Sequence, residues 1–293
     1  MELNLDIVTT PVLAAATVVL LRDAPSGLEV FLMKRHTRSD VLGGAYVFPG
    51  GKVDAADADL DTDLHLDQPL ALLHAGLNEA GIDAHTAGGL YIAAMREVFE
   101  ESGVLFAHSA GGEPVDCGVA TALLSQGLAF NAMLKQMDLR LHTSSLVPWT
   151  RWITPTSPSV MNKRFDTRFF VSSMPAGQVA VHDDIETTDS IWLSPHSALV
   201  QYWEGQIELA PPQIMSLVQI SRHASVASVL LEARNRLPPL IAPEPFDESG
   251  GRVICYPGDA RHSVRALAMP GPTRLYYRNR RFEPDGGFDS LFG

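Results

Sequence analysis

Two short runs of apolar and β-branched residues, Val12 to Leu21 and Leu28 to Lys34, flank the turn formers Asp23-Ala24-Pro25-Ser26-Gly27. That pattern predicts a strand pair, because clusters of Gly, Pro, Asp and Ser bound strands and close hairpins. A third strand is predicted at Ala45 to Phe48, running into Pro49-Gly50-Gly51. From Asp54 to Asp67 there are six Asp, no Lys or Arg and no sustained period, which predicts a loop. Residues 68–80 read as a short helix and Gly81 to Gly89 as a second loop. Helical spacing resumes at Leu90 and runs to Glu101, with Ser102-Gly103 at the C-cap.

Further on, Val104-Leu105-Phe106 reads as a strand, 119–138 as helical, and 149–154, 166–172 and 191–193 as strands. Between Pro212 and Arg236 apolar residues recur at helical spacing, predicting one long helix or a kinked pair. Beyond Leu237-Pro238-Pro239 the tail is rich in Pro and Gly and predicts no regular element. Strands and helices mix without regular βαβ alternation. The pattern implies an α/β class with a mixed sheet flanked by helices, not a dinucleotide-binding doubly wound fold.

Charge narrows the function classes. Lys and Arg number 22 against 34 Asp and Glu, a net charge of −12. No basic footprint for a nucleic-acid backbone is available, so a nucleic-acid partner is not expected. A small phosphorylated ligand needs only a few local cations or a metal ion, and stays open. Cys117 and Cys255 are too few and too far apart for a disulfide framework or a zinc cluster, which favours a reduced compartment. The apolar run from Val12 to Leu21 is half the roughly 20 residues a membrane span needs. No membrane partner and a cytoplasmic location are the expectations.

The chemistry-bearing segment is Arg96-Glu97-Val98-Phe99-Glu100-Glu101-Ser102-Gly103-Val104. On a helix Glu97, Glu100 and Glu101 stand at i, i+3 and i+4, so three carboxylates share one face and repel. A hard divalent cation resolves that conflict, since such ions take carboxylate oxygens together with substrate phosphates. The acidic loop is a poorer candidate. Asp57, Asp59 and Asp61 have calcium-loop spacing, but Thr62 stands where the turn needs Gly and Gln68 where it needs a bidentate Glu.

These residues resemble the signature of the Nudix hydrolases, G-x5-E-x7-R-E-U-x-E-E-x-G-U with U aliphatic. Arg96 through Val104 match every fixed position of its second half. The first half departs from it. With Gly51 as the motif glycine, Asp57 stands in place of Glu. The motif then places the arginine at position 65, whereas it stands at 96, an insertion of 31 residues. Asp54 and Asp57 are the candidates for the missing carboxylate.

Upstream, Phe31 to His36 followed in register by Asp40, Gly44 and Phe48-Pro49-Gly50-Gly51 resembles the L-L-T-x-R-S-x3-R-x3-G-x3-F-P-G-G segment of coenzyme A-cleaving Nudix enzymes. Arg35, Gly44 and the last four residues fit, while His36 replaces Ser or Thr and Asp40 replaces a basic residue. Trp149 to Pro155, Leu209-Ala210-Pro211-Pro212-Gln213 and Tyr256-Pro257-Gly258-Asp259 are also similar to the branch containing the mammalian peroxisomal coenzyme A diphosphatase.

The resemblance implies a Nudix α/β/α sandwich with a mixed sheet, a helical insertion inside the box and a C-terminal helical extension. Residues 8–205 would be the Nudix domain, with the insertion at about 58–88 covering one edge of the site. Residues 206–293 would be an extension and tail packed on the same domain. It implies a metal-dependent pyrophosphohydrolase with Mg²⁺ or Mn²⁺ held by Glu97, Glu100, Glu101 and the Gly51 carbonyl. Arg96 would hold a carboxylate of the box, Glu97 or Glu186 would be the catalytic base, and Arg35 would contact substrate. The substrate would be a small-molecule nucleotide derivative, coenzyme A or acyl-coenzyme A first. The alternatives are an ADP-sugar, NADH or dinucleotide, or a catalytically inactive Nudix-fold binding protein. A homodimer is compatible with all of these.

Overall fold

In the computed structural model, which describes residues 3–39, 41–109, 111–112, 115–248 and 251–293, the first apolar runs pair as read. Strands β1 (Leu13–Ala24) and β2 (Gly27–Arg35) run antiparallel, with Ala24 opposite Gly27 across the turn. Their side chains alternate between two cores: Ala16, Val18 and Leu20 face one, Val19 and Leu21 the other. Burial on both faces is why the run looks continuously apolar. Next come β3 (Tyr46–Val47) and β4 (Gly50–Lys52), a 3₁₀ turn at Ala55–Ala58, and the helices α1 (Thr62–His65), α2 (Leu70–Leu77) and α3 (Ala84–Ser102). Asp40, the site of the charge reversal, lies outside the described residues.

The middle of the chain supplies β5 (Ala107–Ser109), α4 (Cys117–Ser125), α5 (Phe130–Gln136), β6 (Leu139–Leu141), β7 (Val147–Ile153), β8 (Phe165–Ser173) and β9 (Thr187–Leu193). Then follow α6 (Pro195–Trp203), α7 (Pro211–Ile220), α8 (Val226–Arg234), β10 (Leu240–Ile241), β11 (Glu244–Glu248), β12 (Gly251–Cys255), β13 (Arg274–Arg278) and β14 (Arg281–Glu283). The main sheet has the order β10-β7-β8-β1-β2-β3, with β4 also on β1 and β9 also on β2. It is mixed: β1 and β8 are parallel from Leu13 opposite Phe165 to Leu21 opposite Ser173, while β1–β2 and β7–β8 are antiparallel. One core joins the sheet to α2, α3 and α5, and the other joins it to α6, α7, α8 and the C-terminal strands. This is the sandwich that was expected.

Several elements differ from the pattern reading. Helix α3 starts at Ala84 instead of Leu90, capped by the Asp83 side chain, which accepts from the Thr86 N–H at 2.7 Å. Gly88 and Gly89 lie inside the helix because α2 and the 3₁₀ turn pack directly on it, and a Cβ on Gly88 would clash with Leu70. The strand expected at Val104-Leu105-Phe106 forms three residues later, at Ala107–Ser109. Gly127 breaks 119–138 into two helices with a φ of +87°. The segment after Pro212 is the kinked pair, α7 and α8.

The insertion and the tail call for larger corrections. Leu60, Leu66, Leu73 and Leu77 of the insertion are buried in the core under α3. The insertion is tied there by polar bonds, among them Arg140 donating to the Asp63 and Leu64 carbonyls and Thr143 and Ser144 bonding Asp67. It therefore supports the back of α3 and covers no edge of the cavity described below. The tail, expected to hold no regular element, contains strands. Strands β11, β12, β13 and β14 pair in that order as a four-stranded antiparallel sheet. Its short strands escaped notice because Pro and Gly turns leave each too few residues to show alternation. Asp259, expected as part of a family-like segment, is there a structural anchor: it accepts two 2.7 Å bonds from Arg274.

Candidate active site

The last two turns of α3 project the acidic face that the sequence places there. Gly103, with φ +71°, closes the helix by donating its N–H to the Phe99 carbonyl. Arg96 is the hub. Its Nε and Nη2 donate to Asp57 at 2.8 and 3.0 Å, its Nη1 donates to Glu97 at 2.8 Å and Glu100 at 3.0 Å, and Nη2 also reaches the Lys52 carbonyl at 3.0 Å. Asp54 stands 3.8 Å from the same guanidinium. Burial works against the charge on Arg96, but Asp57, Glu97 and Glu100 together hold its proton more firmly than usual. Planar fork geometry is why an arginine serves here and a lysine would not.

Of the two candidates for the missing carboxylate, Asp57 bonds Arg96 through both oxygens, whereas Asp54 stands 3.8 Å away. Asp57 is 1% exposed, and its side chain also accepts from the Asp54 N–H at 2.8 Å, pinning the 3₁₀ turn. The signal that could have selected it is its place in register six residues after Gly51.

The two glycines of β4 are there for close approach. Gly50 has φ +153°, and its N–H donates to Glu101 at 2.8 Å. A Cβ on Gly51 would clash with the Glu97 carboxylate. Both acids are short of compensation. Burial pushes the Glu97 carboxyl up to about 7 against the opposing pull of Arg96. Glu101 is pushed by burial to about 8, opposed by the Gly50 N–H. Glu100 shifts upward for the same reason, with Arg96 opposing. Desolvation without a matching counter-charge is what holds these protons.

Arg35, the last residue of β2, reaches this face from the other side. Its guanidinium is 4.0 Å from Glu101 and 3.6 Å from Glu186, and its buried Nε has no partner among the described residues. Glu186 sits on a turn organised by Asp183, whose carboxylate accepts from the N–H groups of Ile185, Glu186 and Thr187. Asp183 was not among the sequence candidates. Its side chain bonds locally, and no motif marks it.

Arg35, Gly50, Gly51, Asp54, Arg96, Glu97, Glu100 and Glu186 line one cavity of about 690 Å³, whereas Asp57, Glu101 and Asp183 do not. Its lining also carries the cations Arg35, Arg38, Lys52 and Lys163. Apolar residues of the same lining include Trp152, Phe165 and Phe169 with Pro211, Pro212 and Ile254. It also holds Gln213, which the sequence reading placed in a family-like segment without a role. No residue of the insertion at 58–88 lines it.

Among the described residues no three His, Cys, Asp or Glu side chains are arranged to hold a metal ion as they stand. The cause is visible: Arg96 draws Glu97 and Glu100 to itself, and Glu101 is spent on Gly50. The donor chemistry nevertheless fits a hard cation. The three carboxylates share one stretch of α3, burial raises the proton affinity of Glu97 to about 7 and of Glu101 to about 8, and Glu100 is partly exposed. Among the same residues no helix is long and apolar enough to cross a membrane.

Comparison with known proteins points one way. A family profile described as the NUDT19 Nudix domain matches residues 87–220. The chain is 27% identical over 274 residues to acyl-coenzyme A diphosphatase NUDT19 of Xenopus laevis, covering 80% of this chain and 71% of that one. It is equally 27% identical to the Homo sapiens protein of the same name, covering 80% and 72%. Among solved structures, a NUDIX hydrolase from Alicyclobacillus acidocaldarius superimposes with a TM-score of 0.63 at 25% identity, covering 78% of this chain and 98% of that one.

Proposed function

The chain belongs to the Nudix hydrolases, in the NUDT19 branch, and from that premise we propose that it cleaves the diphosphate of coenzyme A or an acyl-coenzyme A. One observation carries the reading: the acidic face of α3 opens into a cavity whose lining combines four cations with a set of apolar and aromatic side chains. A diphosphate that joins a nucleotide to a long, partly apolar arm combines the matching chemistries. Similarity over most of the chain to acyl-coenzyme A diphosphatases supports the choice of arm. Asp40 favours the second reading, an ADP-sugar, NADH or dinucleotide, because a basic group there would suit ligand phosphate. Retention of Arg96 and all three box carboxylates speaks against an inactive binding protein.

Glu97, Glu100 and Glu101, with the Gly51 carbonyl, would hold Mg²⁺ or Mn²⁺. Such a cation, when bound, neutralises phosphoryl charge and makes a bound water more acidic. Glu97 is the first candidate to take the proton of the attacking water, because Arg96 holds its carboxylate at the acidic face at 2.8 Å. Glu186 is the second candidate for that role. Arg96 fixes Glu97 and Glu100 by charge-assisted bonds, and Arg35 binds a phosphoryl oxygen with the guanidinium that now faces Glu101 and Glu186. Residues 206–293 work as part of the same unit, because Gln213, Pro243 and Ile254 complete the cavity.

Product chromatography after incubation with coenzyme A, ADP-ribose and NADH, in Mg²⁺, Mn²⁺ or EDTA, tests this. The expected products are adenosine 3′,5′-bisphosphate and a phosphopantetheine, lost in EDTA. A kcat/KM for coenzyme A about tenfold or more below either rival would reassign the substrate and leave the pyrophosphohydrolase standing.

A further inference from the structure

Gln213 presents a problem that the proposed chemistry does not use. It is the third residue of α7, after Pro211 and Pro212 at the first two positions. Its side chain is 7% exposed, its Oε1 is buried, and that oxygen has no hydrogen-bond partner among the described residues. The residue nonetheless lines the cavity that holds Arg96, Glu97 and Glu100. A buried amide oxygen without a donor costs free energy, and native folds rarely retain one. The same cavity is lined by the apolar Trp152, Phe169 and Ile254. A glutamine at that place leaves its oxygen to a donor that enters the cavity.

We propose that Gln213 is a specificity-determining residue whose side-chain Oε1 accepts an N–H of the group that the diphosphate carries. Two groups present a flat face to apolar side chains and an N–H at its edge. One is a secondary amide, as in a pantetheine arm, and the other is the exocyclic amino group of adenine. Diphosphate oxygens cannot satisfy Oε1, because both are acceptors. The residue therefore reads the arm or the base and takes no part in bond cleavage. The choice of these two groups rests on the proposed substrate class.

The test separates binding from turnover. Dissociation constants for coenzyme A and ADP-ribose are measured in EDTA for the wild type and for Gln213→Met, with Gln213→Ala as a second variant that only enlarges the cavity. The thermal midpoint of each ligand-free protein is recorded beside them. The expected result is a loss of affinity of about tenfold or more with a thermal midpoint unchanged or raised, since an unpaired polar atom has been removed. Loss for coenzyme A alone assigns the donor to the pantetheine amides, and loss for both probes assigns it to adenine. Unchanged constants for both probes overturn the proposal, as does wild-type protein that binds neither. An affinity loss accompanied by a fall of several degrees in both variants also overturns it, because Gln213 would then be structural. Whether the wild type releases product with Mn²⁺ judges the hydrolase reading separately.

Discussion

Two clusters of charge are attached to α3, one just before its start and one in its last two turns, and they are built on opposite plans. In the first, Arg168 forms a bidentate pair with Glu79 at 2.9 and 2.6 Å. Arg151 forms another with Asp166 at 2.8 and 2.7 Å, and also reaches Glu79 at 2.8 Å. Two cations meet two anions with nearly every donor used. In the second, Arg96 alone faces Asp57, Glu97 and Glu100, with Asp54 beside them, while Glu101 has only a backbone N–H and a distant Arg35. The balanced cluster is what a fold needs to join an inserted segment to a sheet. The crowded one stabilises nothing by itself, and its surplus of negative charge becomes useful only when a cation arrives.

The largest effect expected from this contrast is on stability, in the balanced cluster. Glu79→Gln leaves Arg168, 5% exposed, with only Asp166 at 3.1 Å, which it shares with Arg151, and should cost about 3 kcal/mol. Folded Glu79→Gln protein should retain nearly normal kcat. Replacing both partners, as Glu79→Met with Arg168→Met, keeps the Arg151–Asp166 pair and should recover much of that loss. Urea unfolding of the three variants measures it. A double variant as unstable as the single one would mean that the network acts by shape and not by charge balance.

In the crowded cluster the signs reverse. Glu101→Gln should lower kcat by about a hundredfold or more, because a charge needed in the transition state is gone. The same change should leave the metal-free protein as stable or more so, since it removes a buried carboxylate that burial disfavours. Loss of stability together with near-normal turnover in saturating Mn²⁺ would erase the distinction between the clusters.

The sequence displayed the second cluster far better than the first. Carboxylates at i, i+3 and i+4 followed by Gly are a local pattern, so Glu97, Glu100, Glu101 and the hub Arg96 could be read from nine adjacent residues. The β1–β2 hairpin was legible for the same reason. Glu79, Arg151, Asp166 and Arg168 are joined only where the connection between α2 and α3 meets β7 and β8, and no spacing in the chain announces that. Asp57 lies between these cases: its register was correct, but the insertion after it hid the fact that Arg96 returns to meet it. Gln213 stood in a family-like segment without a role, because its distinguishing feature is a missing partner.

Acid and base should sharpen the contrast further. An unfolded chain binds protons at these glutamates with a value of 4.5, whereas the metal-free fold holds them to about 7 on Glu97 and about 8 on Glu101. The folded state therefore carries more protons between those limits, and its stability falls as pH rises through them. What these protons contribute is fully present below pH 4.5 and lost above about 8. A bound cation replaces the protons. The thermal midpoint of the metal-free protein should decline from pH 6 to pH 8.5, and the rise produced by Mn²⁺ should be greater at pH 8.5 than at pH 6. An Mn²⁺ effect independent of pH would mean that neither glutamate is a ligand.

The smallest effect is expected at the rim of the crowded cluster, and it decides the base. Glu186 has 62% of its side chain exposed and meets Arg35 only at 3.6 Å, so it is held less firmly than Glu97, which Arg96 bonds at 2.8 Å. An exposed pair of this kind contributes at most about 1 kcal/mol. Glu186→Gln should therefore reduce kcat by less than about fivefold, mainly by loosening Arg35, and should leave the shape of the pH–rate profile unchanged. Glu97→Gln should abolish the ascending limb of that profile near neutral pH, since the group that must lose its proton is gone. If Glu186→Gln removes that limb instead, proton abstraction belongs to the exposed carboxylate. Glu97 would then be a metal ligand only, and the proton it holds near pH 7 would reflect crowding in the metal-free site.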